Sequence, residues 1–404
     1  HQWKGAGDWF LGIRRIDELR FGPRLELHHH ALTVNPGEIE SLACEDPRIA
    51  SVSIEYARPG NNHRLVNILD VVEPRAPVDG SPPFPGVIGA VSGGGRGEVS
   101  VLRGMAVASS GIIPGAQGGL IDMGGQGAPF SPFSSLWCIV LTFKAAAGCT
   151  GQNAEESFRL ATLRTAAHLA RSVSFHPPDI TEILDLPECQ NVGDLPRLAA
   201  VIPLQAQGVM RQTFVFGLSV ESMLPTLLDP GWFAAGGITS GNYVVPANRT
   251  PTFIHQNHPV ISALRDGHGK THRFAGVVVA CEPSDLESKQ RSARHAAYLL
   301  KAIHVQGAVV TREGGGNTDT DLMLMAEALE ESGIRAVLVA NELAGHDGKQ
   351  PSLTDFTPRA DAMVSTGNND YRLRIGPAER IMGALPFEPL GCSPLEGGDV
   401  PLAL

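Results

Sequence analysis

The pattern of apolar positions along the chain changes character near residue 138. Before that point, short apolar or alternating runs are separated by Gly and Pro, which is typical of β-strands joined by turns. The clearest of these runs are Ile49–Tyr56, Val66–Val72 and Ser100–Val107. We therefore expect residues 1–137 to form a β-rich N-terminal domain.

Beyond residue 138, strand patterns alternate with helix patterns. The apolar run Cys138–Phe143 predicts a buried strand, and the helical spacing over Ala154–Arg171 precedes another strand pattern, Leu198–Leu204. Alternating strands and helices favour a parallel sheet with right-handed crossovers. The pattern predicts a first α/β unit over residues 138–235.

The same order of elements recurs towards the C-terminus. It predicts a second α/β unit over residues 273–383, after a loop segment over 236–272 and before a C-terminal tail over 384–404. The expected strands are Phe274–Ala280, Gly307–Thr311, Arg335–Ala340 and Asp361–Ser365, with helices over Ser284–Ile303 and Asp319–Ser332. The predicted fold class is α/β, with two Rossmann-like parallel-sheet units after a β-rich domain.

Composition narrows the range of partners. The chain has 404 residues, of which 43% are hydrophobic and 18% charged, and its formal net charge is −10. A negative chain lacks the cationic face that nucleic acid or an anionic membrane requires. No apolar run reaches the length of a membrane span, and the first residues lack a secretory signal pattern. We expect a soluble cytoplasmic protein.

Cysteine and histidine spacing offers little support for a metal site. The six cysteines are scattered without Cys-x-x-Cys spacing, and isolated cytosolic thiols are the simplest interpretation. His255 and His258 are three residues apart and are the candidate metal ligands. Pro259 and the residues before His255 favour an extended or turn setting, so a hydrogen-bonded turn is the alternative.

Polar residues follow the predicted strands of the second unit, where open α/β sheets bind ligands. Such residues are candidates for a polar pocket at one sheet edge. The alternative for each segment is an ordinary turn exposed to solvent. His346 next to Asp347 could act as an acid–base pair. The other candidates in these turns are Glu313, Asn317, Glu342 and Asn368.

The loop segment is the most unusual part of the chain. It is rich in glycine at first and then contains Asn242, Tyr243, His255, Gln256 and Asn257 before His258. Side chains that donate and accept hydrogen bonds are concentrated there, which favours a role in binding or catalysis.

A set of short motifs resembles one known family over nearly the whole chain, from about Leu11 to about Gly383. The chain is similar to the large proprotein subunit of component B of the glycine, sarcosine and betaine reductases. The motifs include Ala57-Arg-Pro-Gly60, Val72-Glu-Pro-Arg75, Gly119-Leu-Ile-Asp-Met123, Gln205-Ala-Gln-Gly208, Ser240-Gly-Asn242, His255-Gln-Asn-His-Pro259, Arg312-Glu-Gly314, Asp319-Thr-Asp-Leu322 and Thr366-Gly-Asn368.

The resemblance implies a subunit that works with a second, redox-active subunit bearing a selenocysteine or cysteine. In that family the residue after Ser-Gly-Asn is a cysteine, which becomes a pyruvoyl group when the chain breaks before it. The pyruvoyl group forms a Schiff base with the substrate amine, and the partner's selenol or thiol cleaves the C–N bond. The candidate substrate-binding residues are Gln207, Asn242, Asn257, Asn317 and Asn368, which lie in the matching motifs, and Glu342, which comes from the strand-end turns.

The chain departs from the family at the reactive position, which is Tyr243. Forming a pyruvoyl group requires a thiol or hydroxyl one carbon from the backbone, and the tyrosine phenol lies at the far end of a rigid ring. A further cysteine expected four residues later is Ala247, and Ser240 also accompanies the cysteine in the family. We therefore predict no pyruvoyl group and no other cofactor in this chain, with a metal, thiol or selenol supplied by the partner.

Three functions agree with this pattern. The first is a subunit of a heteromeric reductase-like enzyme that binds a small amine or amide, with Tyr243, His255, Glu313, His346 and Asp347 as candidate catalytic residues. The second is a non-catalytic scaffold for a catalytic partner. The third is a hydrolase or lyase that acts alone through its His and Asp side chains.

Overall fold

A computed structural model provides the coordinates of the chain. It describes residues 9–91, 96–114, 118–186, 195–206, 213–241, 249–387 and 393–401. None of the helices in this part of the chain has the length and apolar character needed to cross a membrane.

The first part of the chain consists mainly of strands. The strands are β1 (Trp9–Arg15), β2 (Glu18–Phe21), β3 (Glu26–His28), β4 (Ala31–Val34), β5 (Ile49–Ala57), β6 (His63–Val72), β7 (Arg75–Pro77), β8 (Gly97–Arg103), β9 (Met105–Gly111), β10 (Gly119–Asp122), β11 (Trp137–Ala145) and β12 (Ile180–Ile183). The helices are α1 (Pro36–Ala43) and α2 (Gly151–Ser172), with a short 3-10 turn over Ala128–Phe130.

The second part alternates strands with helices. Its strands are β13 (Arg197–Gln205), β14 (Thr213–Val215), β15 (Leu218–Ser219), β16 (Thr226–Leu228), β17 (Ile238–Ser240), β18 (Arg273–Glu282), β19 (Gly307–Val310), β20 (Arg335–Glu342), β21 (Met363–Asn368), β22 (Arg372–Ile375), β23 (Arg380–Gly383) and β24 (Gly398–Pro401). Its helices are α3 (Gly231–Ala234), α4 (Thr252–Gln256), α5 (Pro259–Asp266), α6 (Leu286–Ala302) and α7 (Asn317–Glu331), with a 3-10 turn over Val220–Ser222.

Three sheets build the first part. One has the strand order β12-β1-β8-β7, another β10-β6-β9-β11-β5 with β23 also paired to β6, and a small one β2-β4-β3. Helix α2 packs on these sheets, and its apolar face shares a core with Val107 and Ile139. The first part is therefore β-rich, as predicted, and β23 from the second part pairs with β6 in one of its sheets.

One six-stranded sheet organises the second part, in the order β16-β18-β13-β19-β20-β21. Five of its strands are parallel, and only β16 runs antiparallel to its neighbour. Helices α6 and α7 cover one face, while α5 contributes to the core on the other. Strand β18 is nearly continuously buried, which is typical of a parallel strand covered on both faces.

The α/β class is confirmed, and the sequence patterns locate the main strands and helices of both halves. The strand pairing differs in one respect from the expected strand–helix–strand unit. Strand β11 pairs with β9 and β5, whereas β13 lies between β18 and β19 in the other sheet. Helix α2 therefore connects two sheets, because its apolar stripe packs against the β-rich part instead of returning to β13.

Candidate functional site

Three neighbouring parallel strands end together at one edge of the second sheet. Gln205 ends β13 directly opposite Glu282, the last residue of β18, and Glu313 follows β19 on the other side of β13. Hydrogen bonds connect the three strand ends. The backbone amide of Gln205 donates to Glu313 Oε2 at 2.7 Å, and the backbone amide of Glu313 donates to Glu282 Oε1 at 3.1 Å. Two buried carboxyl groups therefore lie where such sheets bind ligands.

Helix α4 brings His255 to this pair of carboxyl groups. His255 Nε2 lies 3.5 Å from Glu313 Oε1, beyond ordinary hydrogen-bond length, and both side chains are buried. Glu313 Oε1 also accepts a hydrogen bond of 3.2 Å from the backbone amide of Thr250, just before α4. Two of the predicted catalytic residues, His255 and Glu313, are therefore neighbours.

Burial controls the ionisation of these groups. It lowers the pKa of His255 to about 3, assisted by the nearby His258 and Arg249. Burial also raises the pKa of Glu313, although the Arg249 charge and the two backbone amides oppose that rise. The pKa of Glu282 lies well above its ordinary value because the carboxyl group is completely buried and Asp321 and Glu313 are close. The imidazole of His255 is therefore neutral at neutral pH, and burial favours the protonated form of Glu282.

Two buried arginines flank the carboxyl groups. Arg249 donates from Nη2 to the carbonyl oxygen of Gln205 at 3.4 Å. Arg312 forms an ion pair with Asp319 and donates from Nη2 to the side-chain oxygen of Asn341 at 2.7 Å. These contacts tie Arg312 to the start of α7 and the end of β20, so Arg312 holds two elements together.

The arrangement can bind a polar nitrogen group and handle its proton. A protonated carboxyl group donates a hydrogen bond or a proton, whereas an ionised carboxylate accepts hydrogen bonds from an amine. Within the described residues, Gln205 Oε1 and Glu282 Oε2 are buried without a hydrogen-bond partner. Buried oxygens of this kind are expected to have a partner, so they are available to a bound molecule.

A second polar cluster joins α4 to the β-rich part. The side chain of Gln256 makes two hydrogen bonds with the backbone of Glu73, of 2.9 and 3.1 Å. Arg75 forms an ion pair with Glu73 and donates to Asn257 Oδ1 at 2.6 Å, and both charged side chains are fully buried. Asn257, predicted to bind substrate, is therefore engaged in fixing α4 to the first part of the chain.

His255 and His258 differ in backbone setting. His255 belongs to α4, so the expected extended or turn setting is wrong for it, whereas His258 is the extended residue immediately before α5, as expected. Burial lowers the pKa of His258 to about 4, and the ring meets Phe233 edge-on at 6.0 Å between centroids. His258 lines a cavity of about 90 Å³ together with Asn257, Arg103 and Arg265.

In the ranges that the structure describes, no group of three or more His, Cys, Asp or Glu side chains is arranged to hold a metal ion. The two-histidine metal site, for which His255 and His258 are the candidates, stays a prediction.

A buried acid anchors both ends of the segment between β17 and α4. Asp70, on β6, accepts hydrogen bonds from the Thr252 backbone amide at 2.9 Å and from the Thr252 hydroxyl at 2.6 Å. The same hydroxyl accepts a hydrogen bond of 2.9 Å from the backbone amide of Ser240. Burial raises the pKa of Asp70 to about 7. Ser240 thus has a structural contact, as the sequence pattern suggested.

The candidates in the turns after β20 and β21 form a hydrogen-bonded network nearer the surface. Asn368 accepts from the Ala344 amide at 3.1 Å and donates to the Gly345 carbonyl at 2.8 Å. Glu342 accepts from the hydroxyls of Ser352 and Ser365, which lowers its pKa. These hydrogen bonds give both side chains a structural role, in which Asn368 and Glu342 hold neighbouring turns in place.

The remaining candidates at this edge are exposed. His346 and Asp347 lie in an exposed turn, and Asp347 pairs with Lys349 at 3.1 Å. Asn317 is exposed at the first residue of α7, and Lys289 donates to its carbonyl oxygen at 3.2 Å. These residues are therefore not buried with His255 and Glu313.

Three predicted site residues, Tyr243, Asn242 and Gln207, lie outside the described residues, as does Ala247. The structure shows where Glu313 and its neighbours lie, and the roles assigned to all of the candidate residues stay predictions.

The sequence analysis missed three residues of the buried network. Glu282 ends the most apolar strand of the second sheet, and the strand-end reasoning that selected Glu313 would have found it. Asp70 is the only acid within the apolar run Val66–Val72, and a lone acid in a buried strand signals a special contact. Nothing in the sequence around Thr252 indicated that its side chain makes a special contact.

The fold and site define a mixed α/β protein with a buried acidic cluster at the ends of parallel strands. The chain belongs to the glycine/sarcosine/betaine reductase component B family, whose model matches residues 10–393. The resemblance inferred from the short motifs is therefore confirmed.

Individual relatives cover most of the chain. It is 34% identical over 373 residues to glycine reductase complex component B subunits alpha and beta of Acetoanaerobium sticklandii, covering 91% of this chain and 87% of the relative. The sarcosine reductase complex component B subunit alpha of Peptoclostridium acidaminophilum is 34% identical over 382 residues, covering 93% of this chain and 89% of the relative. The betaine reductase counterpart from that organism is 32% identical over 404 residues, covering 96% and 90%. No solved structure matches the chain significantly.

Proposed function

We propose that this chain is the substrate-binding subunit of a heteromeric, reductase-like enzyme that acts on a small amine or amide without a pyruvoyl group. The relatives are component B subunits of reductase complexes, which supports a hetero-oligomer. The observation that carries the proposal is the meeting of Glu282, Glu313 and His255 at the strand ends. These groups suit a ligand that contains nitrogen.

The buried carboxyl groups have distinct roles in this proposal. Glu313 is oriented by two backbone amides, so its oxygens can accept hydrogen bonds from a substrate N–H group. Glu282 carries a proton at neutral pH because its carboxyl group is completely buried. When a partner thiolate attacks the carbon and the C–N bond breaks, the electron pair moves to nitrogen. Glu282 then supplies the proton that the departing amine requires.

His255 acts as a neutral hydrogen-bonding group in this proposal. Its low pKa, about 3, means that it does not add a positive charge that would repel a substrate ammonium group. Burial raises the pKa of Glu313, and the charge of the adjacent Arg249 opposes that rise. The site therefore has an acceptor for the amine and a proton donor for its departure.

The residues at the reactive position do not fit a pyruvoyl group. The residue after Ser240-Gly-Asn242 is Tyr243, whose phenol oxygen is separated from the backbone by the ring. That oxygen cannot attack the preceding carbonyl in the way that a cysteine thiol can. We therefore assign no step of the reaction to a pyruvoyl group, and the electron-rich nucleophile belongs to the partner.

Intact-mass measurement tests the absence of self-processing. We expect one species with the mass of the continuous chain, 42.8 kDa for the 404 residues, and no mass change with borohydride or hydroxylamine. Tyr243→Phe should give the same result because the phenol takes no part. Two fragments meeting between Asn242 and Tyr243 would overturn this part of the proposal.

Titration calorimetry with glycine, sarcosine and betaine tests the binding role. At least one should bind the wild-type chain, and Glu313→Gln should weaken that binding at least about tenfold because an amide replaces one acceptor oxygen by a donor. The matched control is Glu287→Gln, at an exposed position on α6. Equal affinity in wild type and Glu313→Gln, or no binding of any of the three, would contradict the proposed site.

Co-purification with a redox subunit tests the hetero-oligomer. We expect the chain to form a stable complex with a component-B-like subunit that carries a reactive thiol or selenol, and C–N cleavage to require both proteins. Cleavage by this chain alone would instead support a stand-alone hydrolase or lyase. Cleavage by the partner alone would support a scaffold.

A further inference from the structure

A groove of about 490 Å³ lies in the first part of the chain, between the edges of β2 and β5. Its lining includes the consecutive residues 18–21 and 54–56. Because consecutive side chains of a strand point to opposite faces, a groove lined in this way follows the edges of the strands. Among the described strands, β2 and β5 are each outermost in their sheets. We propose that this groove binds a small ligand that combines a carboxylate with a planar aromatic group.

A row of aromatic rings provides the surface for the planar group. Phe21 and Tyr56 meet edge-to-face with ring centroids 4.9 Å apart, and Tyr56 lies 6.1 Å from Trp137. Trp137 is held in place because its Nε1 donates a 3.0 Å hydrogen bond to the carbonyl oxygen of Asp17. Tyr56 is exposed although it is a large aromatic residue. Such rings stack on or meet the edge of a further aromatic group.

The charges around the rings favour an anion. Arg20 pairs with Glu18 and Arg380 pairs with Glu55, each at 2.5 Å, so these four charges are matched. The fifth charged side chain, Arg58, lies with its guanidinium carbon 5.7 Å from the Trp137 ring centroid.

Within the ranges described, no carboxylate forms an ion pair with Arg58. The lining therefore has an excess of one positive charge on a chain whose net charge is −10. A guanidinium group on an aromatic face is well suited to a carboxylate, which it can bind through two parallel hydrogen bonds.

His63 provides a further polar contact in the groove. Burial and the charge of Arg380 lower the pKa of His63, so its ring is neutral at neutral pH. Its Nδ1 is buried and makes no hydrogen bond within the described residues. The neutral ring therefore adds no second positive charge to the lining around Arg58.

The groove is separate from the candidate functional site. His63 begins β6, whereas Asp70, which contacts α4, lies towards the end of the same strand. Seven residues of a strand span about 23 Å at about 3.3 Å per residue. A ligand in the groove therefore does not touch His255 or Glu313, and the proposal stands independently of the proposed function.

A matched pair of probes tests the groove. Titration calorimetry at neutral pH should show one molecule of indole-3-acetate bound per chain, with a Kd no weaker than about 1 mM. The neutral analogue indole-3-acetamide should bind at least about tenfold more weakly because it lacks the carboxylate. Arg58→Met should weaken binding of the acid by a similar factor, and Arg294→Met, at an exposed position on α6, should leave it unchanged.

Further variants distinguish a loss of ligand binding from a failure of the variant to fold. Arg58→Lys keeps the charge but loses the planar fork, so its affinity should fall between wild type and Arg58→Met. Trp137→Phe should weaken the binding of both probes, because a phenylalanine ring offers less surface than an indole ring. Equal binding of the acid and the amide, unchanged affinity in a folded Arg58→Met protein, or no binding of the acid to the wild-type chain would overturn the proposal.

Discussion

The backbone amide of Glu313 donates a 3.1 Å hydrogen bond to the side chain of Glu282, so one buried acid accepts from the main chain of the other. Glu282 is the last residue of β18 and Glu313 follows β19, and β13 lies between those two strands of the sheet. This contact brings two carboxyl groups together without a cation paired directly to Glu282 among the described residues. Burial, with Asp321 and Glu313 close by, raises the pKa of Glu282 well above its ordinary value.

Glu282→Gln should leave folding stability within about 1 kcal/mol of wild type at neutral pH, because an amide replaces an already neutral carboxyl group. Glu282→Ala should lower the free energy of unfolding by about 1–3 kcal/mol, since the Glu313 amide loses its acceptor. Chemical denaturation measures both changes. The exposed Glu287→Gln variant is the control, and a large loss in Glu282→Gln would show that Glu282 is ionised instead.

Asp70→Asn should reduce the pH dependence of stability between about pH 4 and pH 7. The pKa of Asp70 rises from 3.8 to about 7 on folding, so the folded protein binds the proton more tightly. Stability from this group is therefore greatest at low pH and falls as pH rises through that range, by on the order of 4 kcal/mol. Denaturation curves of wild type and variant across this range measure the difference.

Asp122→Asn is the matched comparison for Asp70→Asn. Asp122 is also buried, but it pairs with Arg64 at 2.6 Å. Removing its charge should therefore destabilise the protein at pH 7, because the arginine loses its partner. If Asp70→Asn destabilises the protein at pH 7 as much as Asp122→Asn does, the result contradicts a raised pKa for Asp70.

His255 should remain neutral down to about pH 4 in the folded protein. Its pKa falls from 6.5 to about 3 on folding, so the unfolded chain binds the proton more tightly. Stability from this group is complete above pH 6.5 and decreases as pH falls towards 3. Imidazole resonances in NMR spectra, assigned with His255→Gln, measure the titration directly.

The urea-unfolded protein provides the reference for His255, since all imidazoles titrate near their ordinary pKa there. A titration of His255 in the folded protein near pH 6.5 would contradict the effect of burial. Loss of stability in His255→Gln with no change in ligand affinity would limit the residue to a structural role.

Arg75→Met should lower the free energy of unfolding by up to about 3–5 kcal/mol, because the buried Glu73 loses its buried counter-ion and keeps only the more exposed Arg103, 3.3 Å away. The double variant Glu73→Gln/Arg75→Met removes both charges and should recover part of that loss. Denaturant titrations of the two single variants and the double variant give the coupling energy. A coupling near zero would mean that Arg75 and Glu73 contribute independently.

Much of the site could be anticipated from strand ends. Glu313 follows a short apolar strand, and its position at the carboxyl end was enough to select it. The same reasoning gave equal weight to Glu342, which ends β20, and to His346 and Asp347, which follow it. The structure separates them, because the first strand end is covered by α4 and the second lies near solvent.

The contacts across the two halves were not predictable in the same way. Asp70 and Thr252 are far apart in the chain, and no spacing or periodicity relates them. Helix α2 has the length and spacing of a crossover helix, yet it joins two sheets. Which sheet a helix covers depends on the fit of its apolar face, and local pattern does not contain that information.

The sequence by itself determined the family, the α/β class and the positions of the main strands and helices. It could do so because periodicity and motif spacing are local properties of the chain. Only the tertiary structure decided that Glu282, Glu313 and His255 form one buried group. It also decided that the Asn257 side chain accepts a hydrogen bond from Arg75. Burial and proximity arise when distant segments pack together, and they set the pKa values on which the chemistry depends.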